Sequence, residues 1–215
     1  MSVFLRNLQK RVVFDATTLI RDTSHLMQLL SVEKFDVSVV CTGGKLIKSL
    51  NLKYRKRNIQ TDILAFPYFE NWKPGLIPKP SLPCEYNLGD VILGMHVIEK
   101  DCEEANKNIQ EYLPVVIAHG LCHLLGYSHE TKDRLIQMNQ KESEILKGLN
   151  KLTGYNTVPL TPSIEHNNMP DGDIERFLEY QHQPPVPGGS SNARYDKILG
   201  KYLKESQRKK DSLLQ

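Results

Sequence analysis

His119-Gly120-Leu121-Cys122-His123-Leu124-Leu125-Gly126-Tyr127-Ser128-His129 is the stretch on which the reading of this chain turns. At about 100° per residue, His119 and His123 lie some 40° apart on one helix face and one turn apart along it, so both imidazoles can reach a single ion. A straight continuation would carry His129 about 80° off that face and about 9 Å beyond His123, out of reach. Gly126 can take the left-handed conformation that ends a helix and turns the chain back, bringing His129 round as a third ligand. Three histidines leave one position of a tetrahedral site open, the arrangement of a catalytic rather than a structural zinc. Histidine pairs at i, i+4 arise by chance fairly often. Three at this spacing with a glycine at the turn, out of seven in the chain, favour one bound Zn2+. Cys122 is the alternative ligand, but its place beside His123 favours inward packing as a small hydrophobe.

The H-x3-H-x2-G-x2-H spacing is also that of metzincin proteases, so peptide hydrolysis is the first reaction to test. Those enzymes need Glu directly after the first His as general base. Gly120 stands there and cannot accept a proton.

Outward from this stretch, helical and strand patterns alternate. Apolar spacing predicts helices over 109–125 and 131–149. Upstream it predicts a helix over 18–30, a strand over 35–41 rich in β-branched residues, a basic helix over 45–54 and a strand over 61–67. Residues 68–88, with Pro74, Pro78, Pro80 and Pro83, read as a long connection. Strand character returns over 88–98 and leads towards a helix. Interleaved strands and helices give an α/β (α+β) fold, a single small domain in which helices pack a short mixed sheet. The three-His zinc site lies at the end of one helix.

The chain has 215 residues, which suggests one ordinary domain with something added. With 40% apolar residues, it has no run of the ~18–20 that a membrane-spanning helix needs. Four cysteines without a C-x-x-C pair read as reduced thiols. Composition changes near Tyr155: residues 156–215 hold 6 of the 12 prolines and balance 8 basic against 8 acidic side chains. The expected division is therefore a folded domain over 1–155 and a proline-rich, disordered tail over 156–215. An amphipathic stripe near 193–207 in that tail reads either as a docking helix or as a solvated nascent one. The first eleven residues carry three basic and no acidic side chains, and read equally as a presequence or an opening strand.

The 119–129 segment resembles the H-G-x-L-H-L-x-G-Y-D-H signature of the YbeY family of zinc-dependent endoribonucleases. "LNLKYRKRNIQTDILAFP" at 50–67 is similar to the family's L-N-x-x-Y-R-x-x-x-x-P-T-D-V-L-S-F-P block, and "NLGDVILG" at 87–94 to its L-G-D-I segment. Met138 and Glu142 match the M-x-x-x-E of the next helix. Gln60, Ala65 and Ser128 depart from the family's Pro, Ser and Asp, and Ser128 cannot hold a proton as that Asp would. The resemblance implies an α/β metallohydrolase acting in ribosomal RNA processing and small-subunit ribosome biogenesis. It also implies a small-subunit ribosomal protein and an assembly GTPase as partners. Cys122 and the domain length are closer to eukaryotic members, which implies a mitochondrial location; a bacterial member would be cytoplasmic.

The net charge of +3 hides a concentration of basic residues. Lys45, Lys48, Lys53, Arg55, Lys56 and Arg57 occur with no acid between Thr42 and Thr61, an electrostatic footprint for RNA phosphates. Lys53, Lys56 and Arg57 are the expected RNA-binding residues. Arg55, at the family's Y-R position, is assigned to clamping the phosphate beside the metal. Either a zinc-activated water or the RNA's own 2′-hydroxyl could attack, and the sequence separates neither. The competing reading is a non-catalytic ribosome-assembly adaptor with a structural zinc. Asp62 and Asp90 suggest either a carboxylate pair or two turn residues.

Overall fold

A computed structural model describes residues 2–70, 72–77 and 79–163. Four strands form one sheet: β1 (Val3–Asn7), β2 (Asp36–Thr42), β3 (Ile63–Pro67) and β4 (Asn87–Gly94). Their order is β1-β2-β4-β3, with β1, β2 and β4 parallel and β3 antiparallel to β4. Five helices accompany them among the described residues: α1 (Ala16–Leu29), α2 (Gly44–Arg55), α3 (Met95–Glu104), α4 (Ile109–Leu124) and α5 (Lys132–Thr153). This is the small mixed-sheet α+β domain that the alternating patterns imply.

The strands read as apolar runs because both faces of the sheet are covered. Val37, Val39 and Cys41 of β2 enter the larger core, whereas Val40 between them points to the opposite face. On the larger side, α1 packs over β1, α4 over β3 and β4, and α5 across α1 and α4. On the other, Leu46, Ile47 and Leu50 of α2 close a smaller cluster with Val40, Leu64 and Ile92. Asp15 starts α1 by accepting bonds from the Thr17 amide at 2.9 Å and the Thr18 hydroxyl at 2.6 Å.

The N-terminal segment that read two ways forms β1, paired in parallel with β2. In the proline-rich connection, the Trp72 indole donates to the Leu76 carbonyl at 2.6 Å and its ring packs at 5.3 Å from Phe69, so this aromatic anchors its own loop.

After α5 the chain doubles back as a strap along that helix. The Tyr155 hydroxyl donates to Asp22 of α1 at 3.1 Å. Asn150 brackets Thr157, accepting from its amide and hydroxyl and donating to its carbonyl. Asn139 donates to the Thr161 carbonyl at 2.6 Å. Thr161 lies past the division at 155 suggested by composition, yet it is buried. The stripe near 193–207 falls outside the described residues. No helix among those described is long and apolar enough to cross a membrane.

Candidate active site

Helix α4 is buried along almost its whole length and carries His119 and His123 on its C-terminal half. Its end is a Schellman motif: the Tyr127 amide donates to the Cys122 carbonyl and the Gly126 amide to the His123 carbonyl, both at 3.0 Å. Gly126 has φ +83°, and the chain turns there as its place in the sequence requires. The turn returns His129 to the other two rings, 5.4 Å from the His119 centroid and 5.0 Å from that of His123. One nitrogen from each of the three histidines lies within 4.8 Å of the others. Cys122 packs in the core and takes no part in this group.

Hydrogen bonds decide what these nitrogens offer. His119 Nδ1 lies 2.8 Å from Oε1 of Glu142, and His123 Nδ1 lies 3.0 Å from the Tyr127 carbonyl oxygen. Each partner is an acceptor, so each Nδ1 holds the proton and each Nε2 presents a lone pair. The two Nε2 atoms face each other at 3.0 Å. Two lone pairs at that distance repel unless a cation lies between them, and nitrogens bound to one tetrahedral zinc would be about 3.3 Å apart. The donor set therefore fits a metal ion. Burial, reinforced by the neighbouring imidazoles and Arg55, holds His123 well below its usual pKa and brings His129 down to about 4, which keeps both in the neutral ligand form.

The histidines open on a cavity of about 350 Å³ that Arg55, Arg57, Asp62, Asp101 and Thr161 also line. Arg55 is the last residue of α2 and Lys56, in the left-handed conformation at φ 61°, ends the helix. The loop that follows is held by Asn51, whose side chain donates to the Ile59 carbonyl at 3.0 Å. This brings Arg55 and Arg57 to the cavity, while Lys53 and Lys56 are exposed and do not line it. The surrounding protein lowers the pKa of Arg55, against the pull of Asp62 and with the repulsion of Arg57, although part of its side chain still meets solvent. Nη2 of Arg57 is buried and has no hydrogen-bond partner among the described residues. Two guanidiniums around one cavity, one with an unmet donor, call for an anion.

Asp62 and Asp90 part company. Asp62 lines the cavity and also acts as a turn residue, its Oδ1 accepting from Thr61 Oγ1 at 3.0 Å and from the Ile63 amide at 2.8 Å. Asp90 sits in β4, in register with Phe66. Asp101 of α3 is a cavity carboxylate that sequence reasoning missed; burial raises it above the usual carboxylate range, and the charge of Asp62 adds to the effect. Ser128 accepts a bond from Arg134 at 3.4 Å. Gly120 faces the sheet: a Cβ there would stand 2.6 Å from Ile63 Cδ1 and 3.2 Å from both Val91 methyls. A side chain at the protease-base position would thus be driven into the sheet.

Glu142 is wholly buried, and sequence alone gave it no task beyond a motif match. It takes three bonds: from His119, from the Thr161 hydroxyl at 2.6 Å and from the Thr161 amide at 3.0 Å. Burial by itself pushes its carboxyl up. The bonds and charge from His119, with those from Thr161, outweigh this and hold it below the usual range.

Residues 4–150 match the family described as "Endoribonuclease YbeY". A protein from Homo sapiens named "Endoribonuclease YbeY" is 41% identical over 161 residues, 75% of this chain and 96% of that one. One of the same name from Bartonella quintana is 32% identical over 139 residues, 64% of this chain and 82% of that one. The solution structure of TM1509 from Thermotoga maritima aligns with a TM-score of 0.42 at 20% identity, covering 74% of this chain and all of that one.

Proposed function

The chain belongs to the YbeY endoribonuclease family, and from that premise we propose that it is a zinc-dependent endoribonuclease that processes ribosomal RNA during small-subunit biogenesis. The observation that carries the reading is the meeting, in one cavity, of three imidazole nitrogens fit for a metal with the guanidiniums of Arg55 and Arg57. A phosphodiester is the substrate class that uses both.

His119, His123 and His129 would hold the ion, which when bound supplies Lewis-acid polarisation of the phosphodiester. Glu142 and the Tyr127 carbonyl keep the ring protons on Nδ1, leaving Nε2 of His119 and His123 free to bind. Arg55 clamps the nonbridging oxygens, and Arg57 supplies a second donor to the same or the adjoining phosphate. Lys53 and Lys56 extend the positive surface along which the strand runs. An all-imidazole donor set with an open position is the arrangement of catalytic zinc sites and supports zinc as the ion. A small-subunit ribosomal protein and an assembly GTPase as partners, and the mitochondrion as compartment, belong to the same reading, supported by the resemblance to eukaryotic members.

Metal analysis of the purified protein, combined with cleavage of structured and single-stranded RNA, tests the proposal. His119→Ala loses both zinc and cleavage. Arg55→Glu retains zinc and loses roughly a hundredfold or more in rate, the scale expected for a lost donor at the reacting charge. Full activity of metal-free protein overturns the proposal. Undiminished binding of both variants to pre-ribosomal particles, with no turnover by wild type, identifies an adaptor instead. A 2′,3′-cyclic phosphate product assigns the attack to the RNA's own 2′-hydroxyl.

A further inference from the structure

Thr161 lies beyond the family match, which ends at residue 150, yet Leu160 and Thr161 form part of the wall of the histidine cavity. We propose that Thr161 is a positioning residue for the metal centre: delivered by the strap that follows α5, it fixes the Glu142 carboxylate that orients His119. The proposal rests on the metal reading above and deepens it.

The argument starts from what Glu142 needs. A wholly buried carboxylate must have its oxygens hydrogen-bonded, and which donors it finds sets its orientation. Helix α5 brings Glu142 to His119 but supplies no donor of its own. Thr161 supplies two, its hydroxyl on Oε1 at 2.6 Å and its amide on Oε2 at 3.0 Å. The carboxylate is therefore gripped at both oxygens, with Oε1 turned to His119 Nδ1. The hydroxyl also lies 3.4 Å from that Nδ1, so imidazole, carboxylate and hydroxyl share one buried junction. Without the hydroxyl, Oε1 keeps only His119, and nothing but the amide on the far oxygen resists rotation of the carboxylate.

Thr161 is held in place by its own carbonyl on Asn139 and by the nearby bond of Thr157 to Asn150, whereas the bond of Tyr155 to Asp22 ties the far end of the strap to α1. A segment that merely covered α5 would not need to end with both donors of one residue on the partner of a metal ligand.

Zinc affinity by chelator competition and the visible spectrum of the cobalt-substituted protein test this, with circular dichroism and thermal unfolding recorded on each full-length variant. Thr161→Val, which keeps shape and removes the hydroxyl, weakens zinc binding about ten- to a hundredfold and shifts the cobalt spectrum. Thr161→Ser restores both. Asn139→Ala, which frees the strap at the Thr161 carbonyl, moves both readouts in the same direction by less. Tyr155→Phe removes a hydroxyl bond from the far end of the same strap, lowers the unfolding temperature and leaves affinity and spectrum unchanged. Wild-type affinity and spectrum in Thr161→Val or Asn139→Ala, or a Thr161→Ser variant with weakened affinity, overturns the role of Thr161 while leaving the metal site intact. Wild-type protein that binds neither zinc nor cobalt overturns the metal reading itself.

Discussion

Two imidazole lone pairs opposed across 3.0 Å are tolerable only around a cation, and that single contact expresses what the residues of this centre are arranged to do. Its third member depends on Gly126. A side chain there must adopt φ +83° and would collide with the backbone carbonyl of Trp72. Left-handed strain of about 1–2 kcal/mol and a clash of about 1–3 kcal/mol make Gly126→Ala destabilising by about 2–5 kcal/mol in urea unfolding, with weaker zinc binding because His129 is displaced. The histidines and this glycine were legible because their relation is local: eleven consecutive residues, one helix period and one turn explain it. Glu142, Asp101 and Thr161 were not legible as site residues. Glu142 meets His119 across a separation of 23 residues and Thr161 meets Glu142 across 19, distances at which no periodicity operates. Thr161 also lies in a stretch whose prolines argue for a tail.

Among the elements, α2 has the most to do with substrate. It buries Leu46, Ile47 and Leu50 against the sheet and ends in a basic turn, where Lys53 and Arg55 also complement the negative end of the helix dipole. Removing Lys53, Lys56 or Arg57 singly by alanine substitution lowers RNA affinity and flattens the dependence of log K on log salt by about 0.7–1 per residue, measured by titration across ionic strengths. Arg57→Ala has the larger effect at high salt, because its buried Nη2 is screened less than the exposed lysines. The expected helix over 45–54 and strand over 61–67 appear as α2 and β3 because their signals, an apolar stripe and a short apolar run stopped by Pro67, are short-range. Where 88–98 showed only strand character leading towards a helix, β4 passes directly into α3 at Met95. The apolar run crosses that boundary unbroken because strand and helix are both buried there.

Taken as a whole, the molecule buries three of its four thiols. Burial pushes Cys41 up to about 12, Cys102 up to about 11 and Cys122 well above the usual thiol range, whereas Cys84 is exposed in the proline-rich connection. Native protein near pH 8 therefore shows one fast thiol towards a maleimide and four after unfolding; mass spectrometry identifies the first as Cys84. The same sheet that buries these thiols also bears on what chemistry the fold can acquire. With α4 seated so closely on Ile63 and Val91 at Gly120, a carboxylate introduced beside His119 by a single substitution must displace the side chains of Ile63 and Val91 that pack there. Drift from this scaffold towards peptide cleavage is opposed by the packing of this helix rather than by any lack of metal ligands, so changes of substrate enter more readily through the cavity rim than through the helix that carries the ligands.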